Sequence, residues 1–210
     1  YCMKENNWFD PFYIQSHLNE EESNIQKNVR DFCNNELKPT VVERNRKNEF
    51  DKELYPKFGS LGVLGQTVKT HGGSGTSNLA YGLVAYEFEK IDSSYRSSIS
   101  VQSSLVIHPI NEFGSQEQKD KYLPPLIKGE KIGCFGLTES EAGSDPTSMK
   151  TSFKKTKDGY IINGSKNWIT NAPIADIFII WAIEENKDHK SIKGFIIEKN
   201  TEGLNTSTIE

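Results

Sequence analysis

Residues 131–145, with the sequence KIGCFGLTESEAGSD, mark the point at which the chain changes character. Before this stretch, apolar residues recur at three- and four-residue intervals, a spacing that predicts helices. After it, short apolar runs alternate with Asp-Gly and Asn-Gly pairs, which predicts strands and turns. The sequence therefore predicts an α+β multidomain protein. An all-α helical domain at 1–130 would precede a β-barrel or sandwich domain at 131–210 that is incomplete at its C-terminus.

The composition is that of a folded protein with a small net charge. Lys and Arg total 25 against 29 Asp and Glu, which gives −4 with His neutral. A nucleic-acid-binding protein normally carries a basic surface, so we expect no nucleic-acid partner. No uncharged apolar run approaches the roughly 18 residues of a membrane-spanning helix, so we expect no membrane span.

The three cysteines and four histidines are scattered along the chain. Their spacing fits neither a disulfide framework nor a metal-binding motif, so we expect reduced thiols, an intracellular protein and no bound metal. Residues 1–10 lack the apolar core of a signal peptide, and a targeting segment would have to precede them. Residues 206–210 resemble the middle of a strand, which suggests that the chain is cut there.

The helical half is punctuated by capping residues, glycines and prolines. Asn19 with Glu22 forms a capping pair at the start of the first helix, and Ser115 with Gln118 forms another at the start of the last. The sequence predicts five helices. The first runs from the first capping pair to Pro39, the second covers Asp51–Leu61, and the third begins at Thr76 or Ser77 and ends at Ile91. The fourth covers Ser93–Ile107, and the last runs from Ser115 to Pro124–Pro125.

The β half is predicted from apolar runs and turn pairs. The predicted strands include Ile132–Leu137, Asp176–Ile183 and Ile192–Glu198, with a turn at Lys157–Gly159 and a hairpin at Asn163–Gly164. An Asn-Gly pair favours a tight hairpin because both residues tolerate a positive φ.

Several familiar catalytic motifs are not supported. The glycines at Gly72–Gly75 lack the third glycine of a dinucleotide-binding fingerprint and the surrounding βαβ pattern, so a loop before a capped helix is the better interpretation. The sequence contains no Walker A motif and no Gly-x-Ser-x-Gly elbow, and a hydrolase triad is therefore unsupported.

The segment 134–145 runs from a predicted strand into a loop rich in small and hydroxyl residues. Thr138 and Ser144 can donate hydrogen bonds, and Gly143 allows a ligand to approach the backbone. Exposed amides in such a loop can hold a phosphate, although a Ser/Gly loop between strands is often only a connection.

The segment 163–171, NGSKNWITN, carries an aromatic and a hydroxyl residue two positions apart. In a strand, Trp168 and Thr170 would point to the same face and could cover and hydrogen-bond a flat heteroaromatic ring. The alternative is a core tryptophan beside a surface threonine.

Taken together, the two segments resemble the acyl-CoA dehydrogenase family. The resemblance rests on Thr-Glu-x-x-x-Gly-Ser-Asp at 138–145 followed by Gly-x-Lys-x-Trp-Ile-Thr-Asn at 164–171, and it extends over nearly the whole chain, from about Phe9 to Glu210. The stretches 92–106 and 133–139 most resemble the glutaryl-CoA branch of that family.

This resemblance implies an FAD site and a substrate site. The implied cofactor-binding residues are Phe135, Gly136, Leu137, Thr138, Glu139, Gly143, Ser144, Trp168, Ile169 and Thr170. The implied substrate-binding residues are Arg96, Ser97 and Ser144. The family's catalytic glutamate belongs to a C-terminal helical bundle that this sequence does not contain, so no catalytic residue is assigned here.

Arg96 suits the distal carboxylate of a dicarboxylic acyl chain. An acyl pocket is apolar, and a guanidinium provides a permanently charged, bidentate partner there. The alternative is that Arg96 forms a surface salt bridge, since most arginines are exposed. Glu89 lies seven residues earlier, two helical turns along one face, and we hypothesise that it holds Arg96 in place.

The resemblance also implies a reaction and partners. Glutaryl-CoA would lose an α-proton and a β-hydride, then its γ-carboxylate as CO2, to give crotonyl-CoA in lysine and tryptophan degradation. Electrons would pass through FAD to electron-transfer flavoprotein, and the full-length protein would be a homotetramer in the mitochondrial matrix, or in the cytoplasm of a bacterium. The alternatives are a dehydrogenase or oxidase of another chain-length specificity, or a non-catalytic module that binds flavin or acyl-CoA.

Overall fold

The computed structural model describes residues 10–208, with a helical part followed by a mixed sheet, which is the predicted order. The helices are α1 (Glu20–Phe32), α2 (Val41–Lys47), α3 (Leu54–Ser60), α4 (Asn78–Glu89), α5 (Ser93–Ser100), α6 (His108–Phe113) and α7 (Gln116–Ile127). Two π-helical segments, Cys33–Leu37 and Val101–Ile107, continue α1 and α5. The strands are β1 (Gly133–Gly136), β2 (Ser152–Lys155), β3 (Tyr160–Asn163), β4 (Ile177–Glu184) and β5 (Lys193–Glu198).

Both predicted capping pairs are confirmed. The amide of Glu22 donates to Asn19 Oδ1 over 2.8 Å, and the amide of Asn19 donates to the Glu22 carboxylate over 3.2 Å. Ser115 and Gln118 exchange the same two bonds at the start of α7. Ser77, of the two residues considered, caps α4 by accepting from the amide of Ala80. These bonds satisfy amides that have no partner within the helix.

The prediction that the last helix ends at Pro124–Pro125 is wrong. Both prolines lie inside α7, which continues to Ile127. A proline removes a backbone donor and strains the preceding turn. Leu123 and Leu126 flank the prolines and are fully buried, so their packing offsets that cost and holds the last turn in place.

β4 is the strand to which most of the sheet is attached. Its first half pairs in parallel with β1, its last two residues pair in parallel with β2, and β5 pairs with it antiparallel. β2 and β3 form an antiparallel hairpin, as the turn at Lys157–Gly159 predicts. Gly159 has a φ of 143°, which explains why a glycine stands in that turn.

The predicted hairpin at Asn163–Gly164 is wrong, and so is a strand over Trp168 and Thr170. No strand follows β3 until β4, within the described part of the chain, and residues 164–171 form an irregular loop. Trp168 has a φ of 61° and Asn171 a φ of 71°, neither of which a strand allows. Residues 204–208 are also irregular, and Ile209 and Glu210 of the predicted final strand lie outside the described residues.

The chain divides into two compact units. One takes the chain up to Phe50 together with Thr76–Arg96, and the other takes Asp51–Gly75 and the chain from Ser97 onward. In the smaller unit α1 packs on α4, and the rings of Phe32 and Phe88 lie 6.3 Å apart. In the larger unit the π-helical segment after α5 packs against β1, which brings a buried helix up to the sheet.

Candidate functional site

The two motif segments lie side by side at the end of β1. The amide of Asn167 donates to the carbonyl oxygen of Thr138 over 2.9 Å, and the Lys166 ammonium donates to the carbonyl oxygen of Leu137 over 2.9 Å. Both bonds join the 163–171 segment to the 134–145 segment. The structure therefore brings together the two halves of the sequence pattern, which are about 25 residues apart in the chain.

A buried ion pair fixes the end of β1. The Lys166 ammonium also donates to Glu139 Oε1 over 2.7 Å, and each of the two side chains is only 7% exposed. The amides of Lys150 and Thr151 donate to the same carboxylate over 2.6 and 3.0 Å. Burial alone would raise the pKa of Glu139, but these hydrogen bonds lower it to about 2. Glu139, predicted among the cofactor-binding residues, thus has its carboxylate turned toward the protein.

A short turn closes the second segment. Asn171 Nδ2 donates to the carbonyl oxygen of Gly133 over 3.1 Å, at the first residue of β1. On the other side of the same glycine, its amide donates to Gln102 Oε1 over 2.7 Å. A Cβ on Gly133 would lie 2.5 Å from Val106, so only glycine allows the helix to approach β1 this closely.

Several polar and aromatic groups at this site face outward without a partner. The hydroxyls of Thr138, Ser144 and Thr170 form no hydrogen bond with any residue between 10 and 208. The Trp168 indole is 72% exposed, and a Cβ at Gly143 would meet no atom within 4 Å. A flat surface beside free hydroxyl donors and an open glycine suits a planar ligand that carries an anionic group.

The remaining predicted cofactor-binding residues form the floor of the site. Phe135 is half-buried and packs edge-on against Trp181, with ring centroids 6.0 Å apart. Gly136 is buried, and a Cβ there would lie 2.5 Å from Ile180. Leu137 and Ile169 are half-buried, and Ile169 packs against the cluster of Cys134, Ala175 and Phe178.

Arg96 belongs to the smaller unit and forms the expected contact with Glu89. Its Nε donates to Glu89 Oε2 over 2.7 Å, while Ser93 donates to the other carboxylate oxygen over 2.6 Å. The bond from Arg96 lowers the pKa of Glu89. The terminal guanidinium nitrogens make no hydrogen bond within the described residues, so the end of the fork is available for a second carboxylate.

The prediction that Glu89 and Arg96 lie two turns apart on one helix face is wrong, although the contact itself forms. Glu89 ends α4 and Arg96 lies in α5, so the pair bridges two helices and does not lie on one. Ser97 is half-buried at the start of the second segment of the larger unit, and Ser144 is exposed in the loop after β1.

Sequence reasoning missed the residues that hold the site together. Lys166, Asn171 and Gln102 have no outward role, yet each bonds a backbone group of the β1 strand or of the residues that follow it. One signal was available: Gln102 is a polar residue beside the apolar residues of the predicted helix Ser93–Ile107, and an amide buried among apolar residues requires partners.

Comparison with known families decides the relationship. The family model "Acyl-CoA dehydrogenase, N-terminal domain" matches residues 19–130, and "Acyl-CoA dehydrogenase, middle domain" matches residues 134–210. The chain belongs to the acyl-CoA dehydrogenase family. This confirms the family resemblance, and the helical part followed by a mixed sheet is the corresponding fold.

Acyl-CoA dehydrogenases of several specificities are similar to the chain. A short-chain-specific enzyme of Clostridium acetobutylicum is 40% identical over 195 residues, covering 92% of the chain and 52% of the relative. Mitochondrial isovaleryl-CoA dehydrogenase of Pongo abelii is 39% identical over 196 residues, which cover 90% of the chain and 46% of that enzyme. Among solved structures, a glutaryl-CoA dehydrogenase from Mycobacterium smegmatis in complex with FADH2 is similar to the chain, with 39% sequence identity and a TM-score of 0.90. The match covers 95% of the chain and 50% of that protein.

The chain spans about half the length of these acyl-CoA dehydrogenases. Across residues 10–208, none of the helices combines the length and the apolar character needed to cross a bilayer.

Proposed function

We propose that this chain supplies the helical and sheet parts of an FAD-dependent acyl-CoA dehydrogenase that oxidises and decarboxylates glutaryl-CoA to crotonyl-CoA and CO2. Residues 1–130 and 131–210 are the proposed domains. The observation that carries the choice of substrate is the Glu89–Arg96 pair, because Glu89 occupies only Nε and leaves the end of the guanidinium fork free.

The outward groups of the site suit FAD. Trp168 offers an exposed aromatic surface, and the free hydroxyls of Thr138 and Thr170 offer donors to the polar edge of a flavin ring. Ser144 and the open backbone at Gly143 can receive the pyrophosphate. FAD, when bound, supplies the acceptor for the β-hydride of the acyl thioester.

Arg96 would orient the substrate. The side chains of Arg96 and Glu89 are 38% and 46% exposed, so a substrate carboxylate can reach the guanidinium fork and accept charge-assisted hydrogen bonds from it. Glu89, itself held by Ser93, keeps the fork pointed in one direction. An acyl chain that ends in a methyl group has no use for this arrangement.

The partners and the compartment are part of the same proposal. The family resemblance supports electron-transfer flavoprotein as the electron acceptor and a homotetramer as the full-length assembly. It also supports the mitochondrial matrix as the location in a eukaryote and the cytoplasm in a bacterium.

Kinetics with two substrates test the specificity. In protein expressed from the complete coding sequence, Arg96→Ala should lower kcat/KM for glutaryl-CoA roughly a hundredfold, the size expected for a lost charged pair, and leave butyryl-CoA nearly unaffected. Arg46→Ala, an exposed arginine of the same unit, is the matched control. Glu89→Gln should raise KM for glutaryl-CoA alone. Equal losses on both substrates in Arg96→Ala would contradict the glutaryl assignment.

The second candidate is a dehydrogenase for a short or branched monocarboxylic acyl-CoA. It is favoured by the 40% and 39% identities to the short-chain-specific and isovaleryl-CoA enzymes, which match the identity to the glutaryl-CoA enzyme. Under this alternative, wild-type protein prefers butyryl- or isovaleryl-CoA, and Arg96→Ala has little effect on either.

A further inference from the structure

The turn that carries Trp168 and Thr170 is strained and has few contacts of its own. Trp168 and Asn171 both have a positive φ, of 61° and 71°, a region that residues other than glycine adopt at an energetic cost, which is greater for Trp than for Asn. Trp168 is 72% exposed, so core packing does not compensate for the strain. The hydroxyl of Thr170 has no partner in the described chain. The bonds of Lys166 and Asn167 fix the start of the segment, and the side chain of Asn171 fixes its end.

A buried chain of hydrogen bonds reaches the turn from the helices of the same unit. The Tyr55 hydroxyl lies 2.6 Å from Ser98 Oγ, and Ser98 Oγ lies 3.4 Å from Asn171 Oδ1. Asn171 Nδ2 then donates to the carbonyl oxygen of Gly133. Tyr55 has no exposed surface and Ser98 is 1% exposed, so water does not compete for these bonds.

The amide of Asn171 sets the direction of this chain. Its nitrogen is the donor to Gly133, so its oxygen must accept, and Ser98 must donate to it. Ser98 has only one proton, and Tyr55 must therefore donate to Ser98. The phenol stays protonated because burial raises the pKa of Tyr55. The Tyr55 and Ser98 hydroxyls thus both act on the Asn171 amide, and removing either hydroxyl weakens the hold on that amide.

We propose that Tyr55, acting through Ser98 and Asn171, is a positioning residue that holds the 168–171 turn in the conformation that receives the flavin. That the turn binds a flavin rests on the proposed function, whereas the ordering of the turn by Tyr55 does not. Ser98 directly follows Ser97, one of the proposed substrate-binding residues, so the same chain joins that helix to the flavin-facing turn.

Three variants each remove one link and keep the local backbone. Tyr55→Phe retains the buried ring, Ser98→Ala fits the same space, and Asn171→Gly tolerates the positive φ. Tyr122→Phe is the matched control, because it removes a tyrosine hydroxyl that donates to Glu198 in the same unit but away from the turn.

Two measurements on full-length protein decide the proposal. Hydrogen–deuterium exchange of peptides covering 164–172, in cofactor-free protein, should be about fivefold faster in Tyr55→Phe, the size expected for one neutral hydrogen bond, and at least as fast in Ser98→Ala and Asn171→Gly, which each remove two. The dissociation constant for FAD should rise by a similar factor. Tyr122→Phe should leave both quantities unchanged.

Two outcomes would overturn the proposal. In one, the variants lose thermal stability while exchange at 164–172 and FAD affinity stay at the wild-type values, which would mean a purely structural role. In the other, exchange rises but FAD affinity does not change. Wild-type protein that takes up no FAD would contradict the proposed function instead, and exchange alone would then decide whether Tyr55 orders the turn.

Discussion

At the scale of single residues, the Glu139–Lys166 pair is the most consequential contact of the site. Replacing Lys166 with Met keeps the length of the side chain but leaves a buried carboxylate without its cation. Breaking a buried pair in this way costs about 3–5 kcal/mol. We therefore expect Lys166→Met to lower the free energy of unfolding by about that amount in urea denaturation.

Two further variants separate loss of charge from loss of packing. Glu139→Gln in the Lys166→Met background removes the orphaned charge and should restore part of the stability. Lys150→Met removes an exposed lysine paired with Glu141 and should leave the denaturation midpoint unchanged. A single Lys166→Met variant as stable as wild type would show that the pair does not hold the end of β1.

The same carboxylate predicts an acid-sensitive stability. Because its pKa is lowered from 4.5 to about 2, Glu139 contributes stability that is fully present above pH 4.5 and is lost as the pH falls through 2. A shift of this size corresponds to about 3 kcal/mol. Thermal unfolding between pH 7 and pH 2 should show a smaller acid-induced decrease in Glu139→Gln than in wild type, and parallel curves would contradict the assignment.

At the scale of elements, the capping pair of α1 makes a separate prediction. Asn19→Ala removes the side-chain acceptor of the Glu22 amide and should cost about 1 kcal/mol, a typical value for an N-cap. Asn28→Ala, an exposed change within the same helix, is the control and should be neutral or slightly stabilising, because Ala is the better helix former. Chemical denaturation followed by circular dichroism measures both.

Local signals predicted the helix starts well and one helix end badly. Asn19, Ser77 and Ser115 cap their helices through neighbours three residues away, so the necessary information is local. The continuation of α7 through Pro124 and Pro125 depends on burial of Leu126 by distant residues, which no local pattern contains.

The sequence predicted which two segments form the candidate site, but it did not predict the backbone conformation of the second segment. The two segments were expected to act together, and the Asn167–Thr138 bond joins them. Trp168 was expected in a strand, and it stands instead in a left-handed turn. Lys166 explains the difference: its ammonium ties the segment to the end of β1, and this tertiary contact outweighs the hairpin preference of the Asn163–Gly164 pair.

At the scale of the whole molecule, two buried cysteines report on the two compact units separately. Cys33 lies in the smaller unit and Cys134 in the larger, and burial raises the pKa of each thiol to about 12. A protonated, inaccessible thiol reacts only when its surroundings open. In a Cys2→Ser background we expect Cys33 to be labelled at a lower urea concentration, because a smaller unit buries a smaller fraction of its surface.

Mass spectrometry of the labelled peptides gives the order in which the two thiols react. Simultaneous labelling of both across the urea range would show that the two units open as one, contrary to this prediction. Rapid labelling of either thiol in the absence of urea would contradict the burial on which it rests.

The central place of β4 also has a consequence for the timing of synthesis. β1 is complete at Gly136, but its partner begins at Ile177, and Gly133 pairs with Ile177 across 44 positions of sequence. At about 5–20 residues per second, a ribosome takes roughly 2–9 s to supply that partner. During this interval, of the strands described, only β2 and β3 can pair with each other. The backbone N–H and C=O groups along the edge of β1 stay unpaired, so the nascent chain is most exposed to aggregation just before β4 emerges.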